Sequence, residues 1–192
     1  MHSWQFDDVW QQGIQERLLD PVYKQWSIEG RFVHPQKSRC STLLQKRLEV
    51  DTIVQTRKHH SHCLEEKIVR WPRSGIPFDR FFLETESCTN EGYVSEGWMR
   101  YAEADALLYA FVQEGDRELD AYLIVNFSQL KSWFWGVYQN YYEFTMDTFI
   151  RTRGRLVDIV DVVQAVKTER FRISENGIYQ KVPCPVKEVV PA

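Results

Sequence analysis

Long apolar runs are missing from this 192-residue chain. No stretch approaches the roughly 18 consecutive apolar residues that a membrane-spanning helix needs, and mean hydropathy is -0.45. Cysteine is sparse as well. Cys40, Cys63, Cys88 and Cys184 are far apart and form no CxxC pair, so reduced thiols are expected rather than a disulfide framework. Neither sign of charge dominates, with 24 Lys and Arg against 27 Asp and Glu and a formal net charge of -3. That balance excludes the strongly basic class that coats nucleic acid through bulk charge, and leaves room for a local basic rim. The chain has no Gly-rich phosphate loop of Walker type and no Gly-x-Ser-x-Gly elbow, which argues against an ATP-driven motor and against a serine hydrolase of the α/β type. Residues Met1 to Asp8 carry neither a basic nor an apolar segment. A leader is therefore not expected there, and a soluble cytoplasmic protein is.

Core material is plentiful, at 43% hydrophobic and 14% aromatic residues, which rules out wholesale disorder. The length fits one domain, expected over residues 1–170, with a C-terminal hairpin or tail over 171–192. Phe6, Val9, Trp10, Ile14, Leu18 and Leu19 recur at helical spacing and predict an amphipathic helix that ends before Pro21. Leu48 to Gln55 is β-branched and partly alternating, hence a strand, and His62 to Trp71 reads as its return strand beyond a polar turn. Arg80 to Glu86 predicts a third strand, and Trp98-Met99 opens a short element. Leu107 to Val112 and Ala121 to Phe127 flank a charged loop and predict a hairpin, after which Ser128 is expected to cap a short helix. Val157 to Val166 fits either period. The fold class is α/β, a mixed β-sheet flanked by helices.

One constellation carries chemistry. Asp51 lies in the first strand; Glu65 and Lys67 lie on the next, with Glu66 between them. Side chains alternate along a strand, so Glu65 and Lys67 share a face and Glu66 points the other way. If the strands pair as a hairpin, Asp51 reaches the same edge as Glu65. Two converging carboxylates suit a hard divalent cation, and a lysine beside them suits water orientation or a phosphate's charge. The acid-x-Lys spacing occurs once in the chain, at Glu65, about as often as chance provides. The structural alternative is a solvated strand face.

This order of residues resembles the active site of the PD-(D/E)xK nuclease superfamily: an Asp, a spacer with a turn, then an acidic residue, any residue and Lys. Val50 stands where the family name has proline. The likeness extends over Gln45 to Val54, over Phe81-Phe82-Leu83-Glu84-Thr85-Glu86-Ser87, and over Gly97-Trp98, segments similar to those of small phage and bacterial members, and covers Gln45 to Phe134 in all. The resemblance implies a restriction-endonuclease-like core and a Mg²⁺-dependent nuclease, Mn²⁺ substituting, acting on nucleic acid and first of all DNA. It implies that Asp51 and Glu65 ligate the metal together with the backbone carbonyl of Glu66, and that Lys67 positions the attacking water. Glu16 would hold a second metal or its waters; Glu84 competes for a role, with an inward structural position as its alternative. No membrane partner is implied, and a homodimer is among the arrangements such relatives adopt. The rival from another class is a catalytically silent protein of the same fold that binds or assembles.

Basic residues Lys46, Arg47, Arg57, Arg151, Arg153 and Arg155 are candidates for a phosphate-contacting rim, against the plainer reading of solubilising charge. Trp133, Trp135, Tyr138, Tyr141 and Tyr142 are more readily core or interface than base-stacking platforms. His59, His60, His62 and Cys63 crowd one turn, whereas a structural zinc draws ligands from two places, so a polar turn is the preferred reading.

Overall fold

Strand β3 (Ser61–Arg70) organises the molecule, because it is hydrogen-bonded on both edges and its two faces look into different cores. The computed structural model describes residues 17–27, 32–34, 51–56, 60–70, 79–88, 94–112, 119–147 and 151–186. Helix α1 covers residues 17–27. The strands that follow are β1 (Phe32–His34), β2 (Thr52–Thr56), β3, β4 (Arg80–Cys88) and β5 (Val94–Glu96), then helix α2 (Trp98–Tyr101). Next come β6 (Ala106–Val112), β7 (Leu119–Asn126), helix α3 (Phe127–Val137) with a 3₁₀ turn (Tyr138–Asn140), β8 (Tyr142–Asp147) and β9 (Arg151–Asp158). Helix α4 (Ile159–Ala165), β10 (Thr168–Ile173) and β11 (Tyr179–Val182) complete the described chain.

These strands make two sheets. The larger runs β1-β2-β3-β6-β7-β10-β11 and is mixed: β3 and β6 are parallel, and every other neighbour pair is antiparallel. The smaller runs β5-β4-β9-β8 and is antiparallel throughout. Parallel neighbours need a long crossover. Here that crossover, residues 71–105, contains β4, β5 and α2, so the connection itself builds half of the second sheet.

Burial on both faces explains why β6 reads as an unbroken apolar run, Ala-Leu-Leu-Tyr-Ala-Phe-Val. Leu107, Tyr109 and Phe111 face the core between the sheets, where Phe81 of β4 packs on Tyr109 with ring centroids 4.5 Å apart. Leu108, Ala110 and Val112 face the opposite core, which α1 covers with Leu18, Leu19, Val22, Tyr23 and Trp26. Helix α3 closes one side of the first core with Leu130 and Phe134.

The mixed α/β class expected from the sequence is the one observed, as are the β2–β3 and β6–β7 hairpins. Three expectations are corrected. Helix α1 does not stop before Pro21: residues 17–27 are helical, because the apolar stripe continues through Val22, Tyr23 and Trp26, and their burial outweighs the loss of one hydrogen bond. The described part of the first strand begins at Thr52, with Asp51 just outside it, and Leu48 to Val50 lie outside the described residues. The cap of α3 is Asn126, whose side chain accepts from the Gln129 N–H at 2.9 Å, while Ser128 lies inside the helix and donates to the same oxygen. The Val157–Val166 segment is half strand and half helix, changing period at Ile159. The hairpin expected near the C-terminus begins at Thr168. It pairs with β7 as the last two strands of the larger sheet, turning at Gly177, whose φ of 72° suits glycine alone among unstrained residues.

Candidate active site

Pairing of β2 with β3 brings the predicted residues together. The register runs Thr52 to Leu64, Ile53 to Cys63 and Val54 to His62, and Asp51 is the residue just beyond the Thr52–Leu64 pair. Asp51 no longer pairs as a strand residue. Its backbone N–H donates to the Leu64 carbonyl at 2.9 Å, and its Oδ2 accepts the backbone N–H of Glu66 at 2.7 Å. The carboxylate thus replaces a ladder bond at the point where β2 ends, which fixes its orientation against β3.

Alternation along β3 is observed as expected. Leu64, Glu66 and Ile68 look toward α1, while Glu65, Lys67 and Val69 look toward the core between the sheets. Glu65 is 1% exposed, and its Oε1 lies 2.5 Å from Lys67 Nζ; the lysine side chain keeps 32% of its surface. Lys67 is therefore the member of the pair that reaches solvent. Its ammonium also stands 5.1 Å from the centre of the Trp98 ring, a cation–π distance. Across the parallel register it neighbours Tyr109. The Tyr109 hydroxyl accepts the Phe82 N–H at 2.8 Å, and burial pushes it above the usual tyrosine range, against the pull of that bond and of the Lys67 charge.

Glu66 faces away from this group and is not idle. Its Oε1 accepts the Tyr23 hydroxyl of α1, and the contact is buried. Burial, then the Glu66 charge and that hydrogen bond, hold Tyr23 well above the ordinary tyrosine range. The backbone of Glu66 therefore carries Asp51 on its N–H while its side chain is tied to α1.

Sequence reasoning missed Tyr23, Trp98 and Tyr109 as residues that shape the site. Tyr23 was hidden by the expected helix stop at Pro21. Trp98 belonged to a noted segment, Gly97-Trp98, whose use is now visible: a Cβ at Gly97 would lie 2.7 Å from the Glu84 backbone, so only glycine lets α2 come this close to β4. Glu84 itself lies in β4 at a register irregularity, half-buried.

The rim residues divide. Lys46, Arg47 and Arg57, with Glu16, lie outside the described residues, as does His59. Arg151, Arg153 and Arg155 stand on β9, two residues apart and so on one face of the smaller sheet, not on the larger sheet with Lys67. Arg153 pairs with Glu86 at 3.0 Å and Arg155 with Glu143 at 2.9 Å. Trp133, Trp135, Tyr138 and Tyr141 pack against the core between the sheets and on one another, and Tyr142 is exposed. Cys184 is a free thiol.

Asp51 and Glu65 offer carboxylate oxygens, the ligands Mg²⁺ prefers, with Glu65 Oε1 on the Lys67 ammonium and Asp51 Oδ2 on the Glu66 N–H. Among the described residues, no three Asp, Glu, His or Cys side chains gather as a metal cluster by themselves. No described helix is long and apolar enough to cross a membrane. No protein-family model, curated protein or solved structure matches the chain.

Proposed function

We propose that the chain is a Mg²⁺-dependent nuclease of the restriction-endonuclease-like kind, hydrolysing phosphodiester bonds and acting on DNA before RNA. The observation that carries this reading is the placement of Glu65 and Lys67 on one face of β3, with the Asp51 carboxylate pinned to the same strand by the Glu66 N–H. Asp51, Glu65 and the Glu66 carbonyl would hold the metal, which when bound supplies Lewis acidity toward the scissile phosphate. Lys67, the exposed partner of the pair, orients the attacking water and offsets the negative charge that grows in the transition state. Glu65 holds the ammonium in place.

The burial of Glu65 favours a second reading, in which the Glu65–Lys67 pair only joins β3 to the core and the protein binds or assembles without cutting. Cleavage of a panel of plasmid, linear duplex, single strand and RNA with Mg²⁺ or Mn²⁺, Asp51→Ala alongside, separates the two. The expected result is metal-dependent cutting that vanishes in the variant. Silence of the wild type across the panel, or cutting that Asp51→Ala leaves intact, rejects the nuclease.

A further inference from the structure

Each strand of the smaller sheet contributes to one shallow pocket: Glu86 from β4, Val94 from β5, Thr145 from β8, and Arg151 and Arg153 from β9, around a cavity of about 110 Å³. Register puts them there. Arg153 lies between Glu86 on one side and Thr145 on the other, and cross-strand partners share a face. Arg151 is two residues along on that face. The Arg153 guanidinium donates to Glu86 Oε2 at 3.0 Å, and Glu143 Oε1 stands 3.7 Å from its Nε. All three side chains are nearly half exposed, and ion pairs in such a setting are weakly held and screened by salt.

We infer that this pocket is an oxyanion subsite, taking a phosphate group between the guanidiniums of Arg151 and Arg153, with the Thr145 hydroxyl as a further donor and Glu86 as its built-in competitor. Planar guanidiniums match the oxygens of a phosphate and bind them through charge-assisted hydrogen bonds, which an exposed carboxylate contact does not surpass. Two guanidiniums and a hydroxyl around one shallow pocket suit the oxygens of a tetrahedral oxyanion.

A chain of bonded neighbours links the pocket to the candidate centre. Thr85, next to Glu86, donates through its hydroxyl to the Arg153 carbonyl at 3.3 Å, and its own carbonyl accepts the Gly97 N–H at 2.8 Å. Trp98, the next residue, carries the ring beside Lys67. A phosphate held here would belong to the same strand as one presented to Lys67. That step rests on the nuclease reading, whereas the oxyanion subsite does not.

The test measures anisotropy of a labelled short single strand and its duplex on the full chain in EDTA, so that no cleavage intervenes, with inorganic phosphate as competitor and as a ligand on its own by thermal shift. Arg151→Ala is expected to weaken binding roughly fivefold and to lower the salt slope by about one. Glu86→Gln, which keeps the side chain's size and removes its charge, is expected to tighten binding about two- to fivefold. Both side chains lie at the surface, and circular dichroism confirms the fold of each variant. Competition by inorganic phosphate identifies a free oxyanion as sufficient; Arg151-dependent binding of the strand without such competition assigns the subsite to a nucleic-acid backbone. Phosphate binding that depends on Arg151, with no strand bound, keeps the subsite and removes the nucleic-acid backbone as its ligand. Binding that ignores Arg151→Ala overturns the subsite, and binding that Glu86→Gln weakens or leaves unchanged overturns the competitor role.

Discussion

The Lys67 ammonium stands 5.1 Å from the centre of the Trp98 ring. Trp98 is itself 3% exposed and stacks on Phe127, with ring centroids 5.9 Å apart. A charge near an indole that cannot move is held in direction as well as in energy. Trp98→Leu is therefore expected to lower kcat about fivefold with KM for the substrate unchanged, and Trp98→Phe to restore most of that loss. Nuclear magnetic resonance supplies a readout without turnover: the ring-current shift on the Lys67 side-chain protons collapses in the Leu variant and persists in the Phe variant. Gly97→Ala, which forces a Cβ into the Glu84 backbone, should collapse the same shift with the indole still present. Equal kinetics in the Leu and Phe variants would remove Trp98 from the positioning of Lys67.

Glu65 and Lys67 invite a stability prediction that separates the two functional readings. Lys67→Met leaves the nearly inaccessible Glu65 carboxylate with one counter-charge fewer. Chemical denaturation should show a loss of about 2–3 kcal/mol, below the range for a fully buried pair because the lysine is one-third exposed. Replacing both residues, Glu65→Leu with Lys67→Met, is expected to recover most of that loss. In the nuclease reading the single and double variants are equally dead in cleavage despite their different stabilities. Recovery of cleavage in the double variant would confine the pair to a structural role.

Much of this site was legible in the sequence because a strand's period of two fixes which side chains share a face. Glu65 and Lys67 together, with Glu66 opposed, required only that His62 to Arg70 be a strand, and it is. The β6–β7 hairpin was legible from two apolar runs around a charged loop. Which sheet a strand joins was not. Phe81, Phe82 and Leu83 are all buried, so β4 shows no alternation, and nothing local says that it leaves β3 to pair with β9, some seventy residues away. Helix α1 defeated a local rule in the opposite sense. Pro21 predicts a stop, but the buried face made by Leu18, Leu19, Val22, Tyr23 and Trp26 is a tertiary effect that overrides it. With that helix extended, Tyr23 arrives at Glu66, a contact between positions 43 residues apart.

That contact changes what is expected of Glu66. From alternation alone its side chain would be dispensable and only its carbonyl used. It is buried and accepts the Tyr23 hydroxyl, so Glu66→Ala is expected to cost about 1.5–3 kcal/mol, the usual range for a hydrogen bond to a charged group. Tyr23→Phe should cost a similar amount, and the double variant little more than either alone. Because the Glu66 N–H carries Asp51 Oδ2, both single variants should also weaken Mg²⁺ binding, read by isothermal titration. Additive losses in the double variant would show that the two side chains act independently.

Two buried hydroxyls set the alkaline limit. Burial holds Tyr23 and Tyr109 protonated above the pH at which an exposed tyrosine ionises, about 10. Above that pH the unfolded chain releases these protons and the folded chain keeps them, so rising pH favours unfolding. Stability is accordingly independent of these groups below about pH 10 and declines above it. Absorbance of the phenolate is expected to lag for Tyr23 and Tyr109, and also for Tyr141, which burial and the Asp161 carboxylate accepting its hydroxyl likewise hold protonated. Tyr23→Phe should reduce the slope of stability against pH above 10 by about 1.4 kcal/mol per unit, the contribution of one proton, while lowering stability at neutral pH through the lost contact with Glu66. An unchanged slope in the Phe variant would mean that Tyr23 ionises in the folded protein as readily as in the unfolded chain, and that the α1 contact with Glu66 is open to solvent.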